Sequence, residues 1–282
     1  MTEIRCIDVS NNDGHIDWKQ VAASGIKAEI AKVSEGISFT DPFFIEFTRG
    51  AVANSLYAGA YHFARPSRNA PEAEANFFCH QLGASGCLDL LHMPIDPVTG
   101  EEMARVWLDQ EDPGASGTLG RWTERFCQRV EAVLRQPCGV YLSPGWWEGH
   151  NQDAPAGLGN RELWVASYGV SHPSLSSPWK RWVIWQFSDK GRVPGISTAV
   201  DLDVIEAGEA NSSKEEEEMY VRDVDGKVGA TGTIYRVCGE TLLAIDSPAH
   251  LQELTGAKDI NDRSMVISAG GSNPIWKLRV VQ

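Results

Sequence analysis

The stretch Val106-Trp107-Leu108-Asp109-Gln110-Glu111 decides the fold of this chain. Its apolar half predicts a buried strand, and its polar half places two carboxylates at the end of that strand. Side chains alternate across a strand, so Asp109 and Glu111 point the same way, with Cα atoms about 6.5 Å apart. Like charges this close cannot both ionise freely, so we expect one carboxyl to keep its proton near neutral pH as a general acid.

An Asp-x-Glu triplet alone is weak evidence for a catalytic site, because about one such triplet is expected by chance in so acidic a chain. The first 210 residues, however, alternate short β-rich runs with amphipathic stretches, as in β/α units around a largely parallel sheet. The predicted strands are 4–9, 28–33, 58–62, 105–109, 139–142, 163–166, 182–186 and 199–202, and the predicted helices are 16–24, 42–55, 71–82 and 119–135. In such barrels the chemistry lies at the carboxyl ends of the strands. The polar residues predicted at this edge are Asp8, Glu35, His62, Glu111, Tyr141 and Asp201.

Composition excludes several classes of function. The net charge of −13 argues against a nucleic-acid partner, and no run of about 18 apolar residues is present for membrane insertion. Residues 1–5 lack the basic-then-apolar pattern of a secretory signal. The seven histidines show no metal-ligand spacing, so we expect neither a metal nor a cofactor. The six dispersed cysteines are predicted to be mostly buried free thiols, with Cys79 and Cys87 as the local pair to test.

A change of composition divides the chain. Residues 211–218, Asn-Ser-Ser-Lys followed by four glutamates, are typical of a solvated acidic linker. They separate a large domain, residues 1–210, from a small α+β domain, residues 219–282. The small domain is predicted to contain a strand at 233–238, a helix near 248–254 and a β-rich run ending at 278–281.

Ten segments of the large domain, taken in order, resemble the glycoside hydrolase family 25 muramidases, lysozymes of the Chalaropsis type. Among them are Ile7-Asp8-Val9-Ser10, Gly59-Ala60-Tyr61-His62-Phe63, Leu108-Asp109-Gln110-Glu111 and Trp185-Gln186-Phe187. The others are 16–18, 31–36, 41–44, 140–141, 163–168 and 200–203. Departures are mild: Ser34 stands where Thr is commoner and Phe187 where Tyr is commoner. The segment 83–102 is longer than a minimal connection and is expected to reshape one wall of the groove.

The resemblance implies an irregular β/α barrel of TIM-like type, with five helices and eight strands. It implies hydrolysis of the β-1,4 bond between N-acetylmuramic acid and N-acetylglucosamine in bacterial peptidoglycan. Glu111 would be the general acid, Asp109 would stabilise positive charge at the anomeric carbon or orient the acetamido group, and Asp8 and Asp201 would complete an acidic ring that raises the pKa of Glu111. The residues expected to bind substrate are Glu35, Lys32, Tyr61, Tyr141, Tyr168 and Trp185.

Simpler structural interpretations compete at several positions. Asp8 could cap a turn, although its place at a strand end favours function. Asp201 is preferred to Asp203 for the fourth acidic position. His62 is expected to be a hydrogen-bonded wall residue and not a base. Trp146 and Trp147 are equally compatible with core packing and with a sugar subsite.

Alternatives also remain for the whole protein. It is expected to be a phage endolysin that accumulates in the host cytoplasm and then reaches the cell wall, but a bacterial enzyme fits as well. A catalytically inactive peptidoglycan-binding protein on the same barrel is the second hypothesis. Residues 219–282 would bind wall or oligomerise. The purine-rich codons of Lys and Glu before Met219 could serve as a ribosome-binding site for a shorter product that assembles with the full chain. The sequence leaves three mechanisms open: retaining, inverting or substrate-assisted hydrolysis.

Overall fold

The computed structural model describes residues 2–207, 219–222, 234–238, 241–245, 265–270 and 275–280, with side chains described for residues 3–206. The chain divides into two compact units, Met1–Ala210 and Asn211–Gln282. The first unit contains nine strands: β1 (Thr2–Val9), β2 (Ala28–Glu35), β3 (Phe39–Thr40), β4 (Tyr57–Phe63), β5 (Val106–Asp109), β6 (Cys138–Leu142), β7 (Leu163–Ala166), β8 (Ile184–Gly191) and β9 (Val200–Ala207). Its helices are α1 (Trp18–Ala23), α2 (Phe44–Ala53), α3 (Pro71–Ser85), α4 (Gly120–Leu134) and α5 (Pro144–Glu148).

Eight of these strands close into a barrel. Their order is β1-β9-β8-β7-β6-β5-β4-β2, and pairing of β2 with β1 closes the ring, while β3 adds a short edge to β2. Strand β9 runs antiparallel to both of its neighbours, and the other pairings in the ring are parallel. The eight-stranded barrel with five helices that the resemblance implied is therefore confirmed.

Two cores follow from the alternation of side chains along the strands. Trp107, next to the catalytic candidates, faces the barrel interior with Tyr141 and Trp164, whereas Leu108 faces the helix layer. The large ring of Trp107 requires Gly139 on the neighbouring strand, because a Cβ there would lie 2.3 Å from the indole. The interior is thus filled below the carboxyl edge, and only that edge is left for a site.

In the outer layer, the ends of helix α3 are determined by a proline and a glycine. It begins with Pro71 at its first turn and ends at Gly86 in the left-handed conformation. Its buried face, including Phe78, packs with Phe126 of α4 against the outside of the barrel. The described cysteines are free and buried, as expected: Cys6, Cys79, Cys87, Cys127 and Cys138.

The long segment before β5 does not form a groove wall. His92 pairs with Ala58 at the start of β4, and the Ala104 backbone N–H donates to Glu162 just before β7, at 2.7 Å. Asp96, buried in this segment, accepts two hydrogen bonds at 2.7 and 2.8 Å from Arg181, which precedes β8. All these partners lie at the amino ends of strands. The segment therefore covers the opposite end of the barrel, contrary to the expectation.

The second unit is described by its strands: β10 (Met219–Arg222), β11 (Ile234–Cys238), β12 (Thr241–Ile245), β13 (Met265–Gly270) and β14 (Ile275–Val280). Strands β10, β11 and β12 form one antiparallel sheet, and β13 pairs with β14. The predicted linker, 211–218, and the predicted helix near 248–254 lie outside the described residues. Among the described helices, none is both long and apolar enough to cross a membrane.

Candidate active site

Asp109 and Glu111 reach the same side of the chain at the end of β5. Between them, Gln110 turns outward, and its buried amide donates a 2.9 Å hydrogen bond to Thr123 on α4. The Gln110 backbone N–H continues the strand pairing by donating to the Tyr141 carbonyl at 3.0 Å. This anchored residue keeps the alternation beyond the end of the strand, so both carboxyls face the interior at its open edge.

Asp8 and Asp201 face each other across the antiparallel pair β1 and β9. Asp201 lies near the start of its strand, and it reaches the carboxyl edge of the parallel strands because β9 runs the opposite way. Asp203, two residues further and opposite Cys6, points to the same face but lies deeper in the barrel. Ser10, and not Asp8, caps the turn that follows β1.

Burial and mutual repulsion raise the pKa values of these carboxyls. For Asp109 burial is the main cause and the charge of Glu111 the next. For Glu111 burial is followed by the charge of Asp201. Burial also raises the pKa of Asp8, with Asp203 and Asp201 adding to it, and brings the pKa of Asp201 to about 6. The site can therefore hold protons near neutral pH, as a general acid requires.

Positive charge enters the site from β2 and from the loop after β4. Lys32 donates a 2.7 Å hydrogen bond to Glu35, whose other oxygen accepts from Arg65 Nε at 2.8 Å. Burial raises the pKa of Glu35, but these hydrogen bonds and charges outweigh it and hold that pKa below its ordinary value. Arg65 also reaches Asp112 at 3.1 Å, and its guanidinium lies over the Phe63 ring, 4.4 Å from the centroid. This network ties the chain just after Glu111, at Asp112, to β2 and to the loop after β4.

Three tyrosines border the carboxyls. Tyr61 is buried inside the barrel, and its burial, followed by the charges of Asp8 and Asp109, raises its pKa. Tyr141 and Tyr168 each donate to the side-chain oxygen of Gln186, at 2.9 and 2.5 Å. Tyr168 is 46% exposed, so one edge of its ring is open to a ligand.

Two residues point away from the site: His62, predicted at the carboxyl edge, and Trp185, expected to bind substrate. His62 is fully buried on the helix side of β4, where Nδ1 contacts Ser34 Oγ and Nε2 contacts Glu74, both at 2.9 Å. His62 is therefore a hydrogen-bonded structural residue, as expected, but its side chain does not reach the carboxyl edge. Trp185 lies on the face of β8 opposite to Gln186, and its indole N–H donates to the Ser167 carbonyl at 2.8 Å. Trp185 therefore does not face the carboxyl cluster, where a substrate contact was expected.

The two neighbouring tryptophans belong to the outer layer. Trp147 is fully buried and donates to the Ser177 carbonyl at 2.8 Å, which is core packing. Trp146 stacks on His150 with ring centroids 4.2 Å apart and packs against the same core. Neither faces the carboxyl cluster, so the core interpretation holds for this pair.

Sequence reasoning gave no role to three residues that complete the site, Gln186, Arg65 and Asp112, and it preferred Asp201 to Asp203. Gln186 and Asp203 could have been found from alternation, since they stand two residues from the inward-facing Ile184 and Ile205. The carboxylate of Asp203 accepts from the Trp164 indole at 2.8 Å. Arg65 and Asp112 lie in loops, where no periodic signal exists.

Comparison with known proteins identifies the family to which this chain belongs. Residues 7–196 match the model described as glycosyl hydrolases family 25. The chain is 30% identical over 207 residues to lysozyme M1 of Streptomyces globisporus, an alignment that covers 70% of this chain. It spans 66% of that relative, just under two thirds of its length.

Two solved structures share the fold. A bacterial lysozyme from Streptomyces coelicolor superposes with a TM-score of 0.61 at 27% identity, covering 74% of this chain and 95% of that one. The CTP1L endolysin, whose activity is regulated by a secondary translation product, gives a TM-score of 0.59 at 29% identity. That match covers 73% of this chain and 67% of the endolysin.

Proposed function

The chain belongs to glycosyl hydrolases family 25, and from this premise we propose that it is a muramidase. It hydrolyses the β-1,4 bond between N-acetylmuramic acid and N-acetylglucosamine in bacterial peptidoglycan. The observation that carries the proposal is the cluster of Asp109, Glu111, Asp8 and Asp201 at the open edge of the barrel. Two carboxyls on one side of a strand end, one holding a proton, are the groups that glycoside hydrolysis needs.

Each carboxyl receives a role from its surroundings. Glu111, partly buried and of raised pKa, donates its proton to the leaving sugar oxygen. Asp109 faces the developing positive charge at the anomeric carbon or orients the substrate acetamido group. Its Oδ1 has no hydrogen-bond partner among the described residues, which leaves it available to a ligand. Asp8 and Asp201 supply negative charge that disfavours ionisation of Glu111.

The substrate groove runs between the cationic wall and the tyrosines. Lys32 and Glu35 form its polar side, and Tyr61, Tyr141 and Tyr168 provide hydroxyls and ring edges for the sugars. Trp185 is left out of this groove because it faces the helix layer.

Digestion of purified peptidoglycan tests the reaction. Fragments are reduced with borohydride and analysed by mass spectrometry, for the wild type and Glu111→Gln. We expect reduced muramic acid at the new ends, and a loss of turnover of about 10²- to 10⁴-fold in Glu111→Gln. Glu101→Gln, which alters an exposed carboxyl at the opposite edge, is the matched control and should keep activity.

Other outcomes of that digestion would overturn the proposal. Reduced glucosamine ends would indicate a glucosaminidase. Binding of peptidoglycan without any cleavage by the wild type would indicate the inactive binding protein.

We also propose that the biological setting is lysis by a phage endolysin, with storage in the host cytoplasm before the enzyme reaches the wall. The similarity to an endolysin supports this. Cells that express the protein should keep growing until chloroform permeabilises their membrane, and should then lyse. Lysis without chloroform would contradict cytoplasmic storage.

For residues 219–282 we propose wall binding and oligomerisation, the latter with a shorter product that starts at Met219. The purine-rich codons expected for Lys214–Glu218 and the regulation of the similar endolysin by a secondary translation product support the shorter product. Met219→Ala, which puts a non-start codon at this position, should remove a small species that copurifies with the full chain, and the particle mass should fall. Persistence of the small species would indicate cleavage in the linker instead.

A further inference from the structure

Gln186 connects the two halves of the carboxyl cluster. Its side chain is 2% exposed and makes three hydrogen bonds. The amide nitrogen donates to Asp8 Oδ2 at 2.7 Å, and the amide oxygen accepts from Tyr141 at 2.9 Å and from Tyr168 at 2.5 Å. The ionised Asp8 carboxylate can only accept, so the NH₂ group faces it and the amide oxygen is left to accept from the two phenols.

This orientation directs the hydrogen of Tyr141. The Tyr141 hydroxyl oxygen lies 3.5 Å from Glu111 Oε2 and 2.9 Å from the amide oxygen of Gln186. A phenol has one hydrogen, and the shorter contact has ordinary hydrogen-bond length whereas the longer is at the limit. The hydrogen therefore points to Gln186. The hydroxyl presents a lone pair to Glu111, which a protonated carboxyl satisfies and an ionised one does not.

We propose that Gln186 is a positioning residue that draws the hydrogen of Tyr141 away from Glu111, so that Glu111 keeps the proton it delivers to the leaving sugar oxygen. This inference rests on the proposed muramidase reaction. Without Gln186 the hydroxyl can turn and donate to the Glu111 carboxylate, which stabilises the ionised acid. The other charged groups near Glu111 are Asp109 on β5, Asp201 on β9, Lys32 on β2 and Arg65 after β4. All of them remain in a Gln186 variant.

The test is the pH profile of kcat/KM on a soluble glycan of alternating N-acetylglucosamine and N-acetylmuramic acid, using the full chain. In Gln186→Met, which keeps the length but not the amide, the basic limb should move to lower pH by about one unit. In Gln186→Glu, which keeps an acceptor for both phenols, the basic limb should not move down. A Gln186→Met limb that coincides with the wild-type limb would overturn the inference.

The coupling through Tyr141 is checked in a double variant. With Tyr141→Phe as background, Gln186→Met should give no further shift of the basic limb, whereas a general loss of packing would shift or weaken both backgrounds alike. Tyr141→Phe alone also decides the matter if Gln186→Met does not fold. An upward shift of its basic limb would mean that Tyr141 donates to Glu111 in the wild type, against the proposal. An inactive wild type would instead contradict the muramidase function itself.

Discussion

At the scale of single residues, the charge of Asp201 acts on the proton of Glu111. Its negative charge is, after burial, the main cause of the raised pKa of Glu111, and its own pKa is about 6. The effect therefore exists mainly above pH 6, where Asp201 is ionised. We expect Asp201→Asn to move the basic limb of the kcat/KM profile to lower pH, because removal of a nearby negative charge favours ionisation of Glu111.

The control for this prediction lies on the same hairpin. Asp189, about half exposed at its side chain, also carries a negative charge, and its charge acts on Asp201. Asp189→Asn should leave the basic limb nearly unchanged. Equal shifts in Asp189→Asn and Asp201→Asn would show that the general charge of the hairpin matters, and not the position of Asp201 opposite Asp8.

At the scale of secondary-structure elements, the segment between α3 and β5 stabilises the barrel without touching the groove. Asp96 is 1% exposed; Arg181 donates to both of its carboxylate oxygens, and the Val98 backbone N–H donates to one of them at 2.9 Å. Arg181→Met leaves this buried carboxylate without its cation, which should lower the free energy of unfolding by about 1–3 kcal/mol. Denaturant unfolding measures that loss.

The kinetic parameters serve as the second readout for Arg181→Met. KM and kcat at a permissive temperature should equal those of the wild type, since the segment lies at the amino ends of the strands. A raised KM with unchanged stability would instead indicate that this segment forms a wall of the substrate groove.

The same elements show which parts of the fold the sequence could predict. Strands such as β5 and β6 were found within a residue or two, because continuous apolar runs are typical of buried parallel strands. The extension of β8 to Gly191 was missed, because its last residues are mostly polar and exposed. The short α5 and β3 carry too few residues for any periodicity.

Site residues could be predicted where they end an apolar strand. They could not be predicted where their position depends on the direction of the strand or on which of its faces is inward. Asp8, Asp109 and Glu111 were found because each ends an apolar run. The antiparallel direction of β9, which brings Asp201 near the start of its strand to the carboxyl edge, is decided by pairing with β1 and has no local signal. His62 was predicted at the carboxyl edge from its place at a strand end, and Trp185 was expected to bind substrate from the resemblance; alternation gives two faces of a strand but does not by itself say which one is inward.

At the scale of the whole molecule, the site makes stability depend on pH. Burial raises the pKa values of Asp8, Asp109, Glu111 and Asp203 above those of an unfolded chain. An unfolded Asp releases its proton near pH 3.9, whereas the folded one releases it only at higher pH. The folded state therefore binds more protons in this window, and the stability contributed by these groups is lost as the pH rises. Carboxyls in ion pairs such as Asp96 have lowered pKa values and oppose this trend at low pH.

The consequence is a variant that is inactive but more stable. Asp109→Asn removes a buried carboxyl whose ionisation the fold resists, so at pH 7 it should raise the free energy of unfolding by about 1–2 kcal/mol. The gain over the wild type should shrink as the pH falls towards 4, because there the unfolded Asp109 begins to bind a proton as well. Thermal unfolding from pH 4 to pH 8 measures the difference. Asp96→Asn, which loses a favourable ionised partner of Arg181, should show the opposite sign at pH 7. A gain for Asp109→Asn that does not depend on pH would mean that packing, and not the suppressed ionisation of the catalytic cluster, limits the stability of the barrel.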